Sequence, residues 1–343
     1  MTVSAPLPMS VLELATVGAG QSSGDALAAT RRVAQVADGL GFTRLWVAEH
    51  HNMPAVASTS PPVLIAHLAA ATERIRVGSG GVMLPNHAPL VVAEQFALLE
   101  ALYPGRIDLG IGRAPGTDQE TALALRRDPA ALSAEDFPQH LLDLLGLLGD
   151  ERVEGGLAER FTATPAAETA PSVLLLGSSG FSAQLAGALG LPFAYAHHFG
   201  GPHTLAAVRL YRDSFRPSPV LDRPYAIVTA NALAADTDDE ARRLALPGQI
   251  MRLAIRTNRL RPLPSPEQAA VDPERAAAEA MPSNALVGTA DDVVAGLRAL
   301  ADATGADELM LSASTFGVEE RVHSLELIAA AWGLADTGDR TAA

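Results

Sequence analysis

The chain has 343 residues, no cysteine and a formal net charge of −14. That excludes a disulfide scaffold, a thiolate nucleophile and a nucleic-acid binder, which needs a positive footprint for phosphates. All 25 basic residues are arginine, so Schiff-base aldolases, pyridoxal-phosphate enzymes and Walker-type NTPases, which need a lysine, are excluded as well.

With 48% hydrophobic and 19% charged residues, the chain lies in the globular range. The arginine and alanine bias reflects a GC-rich genome. Acidity argues against adhesion to an anionic membrane. Met1–Pro8 has no basic targeting region, and no apolar run is long enough to span a bilayer. A cytoplasmic protein is expected, with loose ends at Met1–Pro8 and Asp336–Ala343.

Short apolar runs alternate with amphipathic ones. Strand Val11–Val17 is followed by helix Asp25–Leu40, strand Arg44–Ala48 by helix Pro62–Thr72, and strand Ile75–Leu84 by helix Pro89–Leu102. Next come strand Arg106–Ile111, strand Val173–Leu176 with helix Ser182–Leu189, and strand Pro192–Ala196 with helix Thr204–Phe215. Strand Tyr225–Ala230 precedes helix Asp238–Ile250. Helix Thr289–Ala303 has Thr289 as N-cap and Asp291 and Asp292 in its first turn. Strand Glu308–Leu311 and helix Glu319–Trp332 close the series. Eight strands alternating with helices imply a parallel sheet with right-handed crossovers, and over this length a single (β/α)8 TIM barrel. The reading is one domain over 1–343, with the barrel ordered over about 9–335. Insertions at its C-terminal face occupy 114–170 and 245–287, the latter holding the proline-rich stretch Arg261–Ala285, which could act as a lid.

Active sites of such barrels lie at the C-terminal ends of the strands. Here those ends carry Glu49-His50-His51, Gly78-Ser79-Gly80-Gly81, Gly110-Ile111-Gly112-Arg113, Gly177-Ser178-Ser179-Gly180 and His197-His198. Gly177 to Gly180 precede a helix, so backbone N–H groups, hydroxyls and the helix N-terminus could cradle a phosphate, with Arg113 adding a charged fork. Glycines inside a strand permit either a bulge or the close approach of a flat ligand. Neighbouring strand residues face opposite ways, so one His of each pair can face a pocket. No His-x-His occurs and no metal ligand set is assigned, although Glu49 with one His of each pair leaves a metal-dependent hydrolase as a competing reading. An acidic chain without basic clusters suits a neutral substrate.

Trp46-Val47-Ala48-Glu49-His50-His51, Ile75–Pro85, Glu94-Gln95, Leu98-Leu99, Gly105–Arg113, and Gly177–Ser182 with Gly190-Leu191-Pro192 together resemble the bacterial luciferase-like flavin monooxygenase family over most of the chain. The resemblance implies a barrel, commonly a homodimer, that uses reduced FMN delivered by a separate NAD(P)H-dependent flavin reductase, or in some branches the deazaflavin F420. It implies that FMN and O2 act through a C4a-(hydro)peroxyflavin. By that resemblance Glu49 and His50 match the catalytic Glu-His. Gly80-Gly81 match the pair joined by a non-prolyl cis peptide beneath the isoalloxazine. Gly112, Arg113, Gly177, Ser178, Ser179, Gly180 and Phe181 match cofactor-binding positions. Luciferases carry Cys at the place of Gly112 and Glu at that of Gly177, so light emission is not implied. Strand-end position marks His198 and Asn231 as candidates to face the substrate, a small organic molecule such as an aromatic polyketide of secondary metabolism. Two alternatives accompany this reading. One is an F420-dependent oxidoreductase, for whose long anionic tail Arg126, Arg127, Arg256 and Arg259 could supply charge. The other is a non-catalytic flavin-binding relative.

Overall fold

The computed structural model describes residues 6–114, 119–126, 136–200 and 202–334. Most of the two expected loose ends, and the middle of the 114–170 insertion, lie outside these residues. The elements run β1 (Met9–Glu13), α1 (Ser23–Gly39), β2 (Arg44–Val47), α2 (Pro61–Ala69), β3 (Arg76–Met83), α3 (Pro89–Leu102), β4 (Ile107–Gly112), α4 (Gln119–Arg126) and α5 (Phe137–Leu147). They continue through β5 (Ser172–Gly177), α6 (Gly180–Leu189), β6 (Phe193–Tyr195), α7 (Thr204–Ser214), β7 (Ala226–Ala234), α8 (Asp238–Arg256), α9 (Pro266–Ala270) and α10 (Arg275–Glu279). The last are β8 (Leu286–Gly288), α11 (Ala290–Thr304), β9 (Glu308–Ser312) and α12 (Val318–Trp332).

Strands β1 to β7 pair in chain order, all parallel. β9 pairs with β7 on one side and β1 on the other, closing an eight-stranded barrel. β8 pairs only with the far end of β7 and stands outside the ring. The expected (β/α)8 barrel is the observed fold.

Local chemistry sets the helices. Ser22 and Asp25 form a reciprocal capping box on α1, Thr237 caps α8 above three acidic first-turn residues, and Thr289 caps α11 as its sequence indicated. The outward residues of the strands, among them Val11, Leu45, Val77, Ile107, Leu109 and Leu175, join the apolar helix faces in one large core. Such continuous apolar strands are what a sheet buried on both faces requires.

The inside of the barrel is stratified. Leu12, Trp46, Leu174, Ala194, Ile227 and Met310 form a small apolar layer. A buried ionic layer also crosses the barrel interior. Arg44 reaches Glu308 bidentately, Nε to Oε1 at 2.9 Å and Nη2 to Oε2 at 3.0 Å. Its Nη1 meets Asp108 at 2.7 Å. Trp46 Nε1 and Arg76 Nε also donate to Asp108, at 2.9 and 2.8 Å, and Tyr225 donates to Glu308 at 2.7 Å. Burial pulls the Arg44 guanidinium down, but Glu308 and Asp108 outweigh it and hold it above its ordinary value. Fully paired in this way, the charges are compatible with burial.

Three elements differ most from the sequence reading. β1 covers Met9–Glu13, not Val11–Val17, because Ala15 turns to φ +53° and Glu13 is held against the helix layer by Arg321 at 2.7 Å. β7 runs on to Ala234, past the expected Ala230. α8 continues through Pro247 to Arg256 instead of ending at Ile250. The first half of the 245–287 insertion is therefore helix, with α9 and α10 following it.

Candidate functional site

The barrel opens at the C-terminal ends of its strands into a cavity of about 540 Å³, a size suited to a cofactor or small ligand. Leu12, Trp46, Ala194 and Met310 contribute apolar wall. Each strand end then adds something different.

β2 delivers His50 to the cavity and turns its neighbours away. His51 Nε2 donates instead to Glu49 Oε1 at 2.9 Å. Glu49 is fully buried and not part of the cavity wall. Its carboxylate accepts from His87 Nε2 at 2.8 Å and from the Met83 N–H at 3.1 Å. Burial raises the Glu49 carboxyl, but the bond and charge of His87, then His51 and Met83, outweigh it and hold it below the usual value. The expected pair is thus split: His50 faces the cavity, and Glu49 ties the end of β2 to the end of β3.

At that end of β3, Gly80 and Gly81 line the cavity and are joined by a cis peptide. The pairing with β4 shifts register between Gly80 and Val82, so the bulge considered from sequence lies on the cavity wall. A Cβ on Gly80 would sit 2.7 Å from Leu12 Cδ1, and one on Gly81 would sit 2.7 Å from the Gly110 carbonyl oxygen. Gly112 is held equally closely, by Met83 Sδ at 2.8 Å from its would-be Cβ.

β4 ends in Gly112 and Arg113, β5 in Gly177, Ser178 and Ser179, and all five line the cavity. Ser179 is the N-cap of α6, yet its hydroxyl makes no capping bond. The first N–H groups of α6 and this hydroxyl are therefore free of each other, and the helix dipole adds partial positive charge. Gly180 and Phe181 begin α6 and are not cavity wall. The half-exposed Phe181 ring supports the Arg113 guanidinium, 4.4 Å from its centroid. Arg113 has no carboxylate partner among the described residues. Ser182, which sequence reading passed over, also lines the cavity. An arginine, serine hydroxyls and a helix N-terminus are the donor set a phosphate needs.

After β6, the turn His197–Phe199 presents His198 to the cavity, while His197 bonds Thr204 at 2.7 Å. Here too one His of a pair faces in. The His198 ring packs on Phe199 at 4.2 Å, and its Nδ1 is buried without a hydrogen-bond partner among the described residues. Burial, then the charges of His197 and His50, push His198 down to about 4. Asn231, on the extended part of β7, lines the cavity and donates to the His198 carbonyl at 2.9 Å. Asn284, unremarked in the sequence, does the same for His197 at 2.6 Å.

The remaining wall comes from the second half of α8 and from residues 281–285. Arg252 and Arg256 lie there, whereas Arg259 is paired with Glu274 at 2.7 Å. Arg127 and the Arg126 side chain fall outside the described residues. Among the described residues the wall carries Arg113, Arg252, Arg256, His50 and His198 and no Asp or Glu. This corrects the expectation drawn from an acidic chain without basic clusters: residues distant in sequence meet here to make a positive cavity in a protein of charge −14. Among the described residues no three His, Asp or Glu side chains group as metal ligands, and no helix is long and apolar enough to cross a membrane.

Residues 8–308 match the family model described as luciferase-like monooxygenase. A luciferase-like monooxygenase of Escherichia coli strain K12 is 42% identical over 331 residues, 94% of this chain and 96% of that protein. The crystal structure of apo-MsnO8 superposes with a TM-score of 0.86 at 36% identity, over 96% of this chain and 99% of that one. A third likeness is one of fold alone. It is to the FMN complex of the oxygenating constituent of 3,6-diketocamphane monooxygenase from Pseudomonas putida, with a TM-score of 0.68 at 20% identity over 94% and 97% of the two chains. On its barrel, its matched length and these relatives, the chain belongs to the luciferase-like monooxygenase family of oxidoreductases.

Proposed function

We propose that the protein is a flavin-dependent monooxygenase that uses reduced FMN and O2 to oxygenate a small organic substrate. The observation that carries this reading is one cavity in which a phosphate-type donor set, a two-glycine platform and His50 converge with no carboxylate on the wall among the described residues.

When bound, reduced FMN would supply the electrons that activate O2. Arg113, Ser178, Ser179 and the first N–H groups of α6 would hold its phosphate. Gly80 and Gly81, which leave no Cβ in the way, would lie beneath its ring. His50 would hold or release a proton at the ring nitrogen facing the cavity. His198, kept neutral by burial, would face the substrate without adding charge. The apolar wall around Trp46 would keep water from the reacting atoms. Glu49 is a positioning residue in this scheme, since it acts through His51, His87 and Met83.

A separate NAD(P)H-dependent reductase would supply the reduced flavin. A homodimer would use the outer faces of α2 and α3. Val91, Leu98 and Leu102 stand exposed on one stripe of α3, and Val63 is exposed on the neighbouring α2. These exposed apolar side chains are what supports the dimer reading.

A specific observation favours a second reading, F420 dependence: Arg252 and Arg256 add positive charge at the mouth. Anaerobic titration with reduced FMN, riboflavin and reduced F420, followed by absorbance, separates the two. The proposal expects FMN to bind at least about tenfold tighter than riboflavin, through the phosphate donors, and F420 to bind weakest. Tightest binding of F420 would transfer the function to the deazaflavin.

A further inference from the structure

Helix α8 treats its arginines in two ways. On its first half, Arg242 pairs with Asp239 at 2.7 Å and Arg243 with Glu240 at 2.8 Å and Glu267 at 2.9 Å. On its second half, Arg252 and Arg256 line the cavity one turn apart and have no carboxylate partner among the described residues. Two like charges at this spacing repel and are mildly destabilising. Burial, then the charge of Arg256, hold the Arg252 guanidinium below its ordinary value.

Arg252 is also held in place. Its Nη1 donates to Ser283 Oγ at 2.9 Å and its Nη2 to the Met281 carbonyl at 3.3 Å. Its Nε is buried and makes no hydrogen bond among the described residues. A guanidinium fixed on the cavity wall, one turn from a second that also lacks a carboxylate partner among the described residues, is a site for an anion.

FMN already has a phosphate site in the proposed reading, built from β4, β5 and α6 in another sector of the mouth. We infer that Arg252 and Arg256 form a separate subsite for one carboxylate on the organic substrate, whose apolar body would lie along the wall near Ile255 and Val287. This rests on the flavin monooxygenase reading, which assigns the other anion site to the cofactor. A single anionic group fits better than a polyanionic tail. The next arginines along the chain, Arg259 and Arg261, are already neutralised by Glu274 and Asp272, so the positive charge does not continue outward.

The test uses two probes of one shape, 2-naphthoate and its neutral amide 2-naphthamide, titrated calorimetrically into the protein. FMN binding is measured separately, and thermal melting confirms that each variant is folded. Wild type should bind the carboxylate about tenfold tighter than the amide. Arg252→Gln with Arg256→Gln should erase that preference and leave FMN affinity unchanged. Arg113→Gln should weaken FMN and leave the preference intact. Equal binding of the two probes by wild type, or a preference that survives the double substitution, would overturn the subsite. Loss of FMN binding in the double variant with retention in Arg113→Gln would assign the pair to the cofactor and overturn it as well. A protein that discriminates the probes but binds no FMN would keep the carboxylate site and sink the flavin reading alone.

Discussion

His87 Nε2 donates a 2.8 Å hydrogen bond to Glu49 Oε1, and Glu49 sits behind the cavity that its chain neighbour His50 lines. With His51 and the Met83 N–H on the same carboxylate, Glu49 joins the segments that follow β2 and β3 at the mouth. Its buried charge belongs to the framework.

Glu49→Gln keeps the shape and removes the charge these donors share. The unfolding free energy in urea should fall by about 2 kcal/mol. His50→Gln should cost less stability but suppress oxygenation more. Equal losses of stability in the two variants would contradict the division of labour.

Gly81→Ala should be more harmful than Gly80→Ala. The new methyl at 81 meets the Gly110 carbonyl, a backbone atom, whereas at 80 the nearest atom is the end of the Leu12 side chain. Overpacking of this kind costs about 1–3 kcal/mol. Urea midpoints of the two variants give the comparison, and the reverse order would refute it.

His198 supplies a pH dependence. Its ordinary value is 6.5 and its folded value about 4. Between these the unfolded chain takes up a proton that the folded one refuses, so stability falls as pH drops from 6.5 toward 4. His197, also lowered by burial, and Glu49, held below its ordinary value, work in the same direction. His198→Asn should therefore shed part of the acid sensitivity of the melting temperature. An unchanged slope would mean that the ring titrates normally in the fold.

Leu98→Arg, on the exposed stripe of α3, should convert a dimer to a monomer in sedimentation velocity without changing the circular dichroism spectrum. A wild type that sediments as a monomer at all concentrations would remove the dimer from the proposal.

The barrel was legible because buried parallel strands read as apolar runs and their helices as amphipathic ones; α3 falls on Pro89–Leu102 as read. The strand-end motifs were legible because glycine, serine and imidazole cluster where packing alone does not require them. Direction of side chains was only half legible. Alternation says that one of His50 and His51 faces inward, but the buried Glu49 decides which. The end of α8, past Ile250, was missed even though the reading ran through Pro247 inside the helix. With it went Arg252, although Met251, Ile255 and the arginines at 252 and 256 continue an amphipathic pattern. β8 has three residues and overlaps the end of the stretch read as an insertion, so it was not separated as a strand. Net charge misled because it sums exposed carboxylates, whereas the cavity samples only residues that the fold gathers.

The most direct measurement is stopped-flow absorbance of the protein with photoreduced FMN, mixed against aerated buffer. The account predicts a transient species absorbing in the near ultraviolet without the visible band of oxidised flavin, shortened in lifetime by His50→Gln. Reoxidation at the rate of free flavin, with no sign of binding, would contradict it.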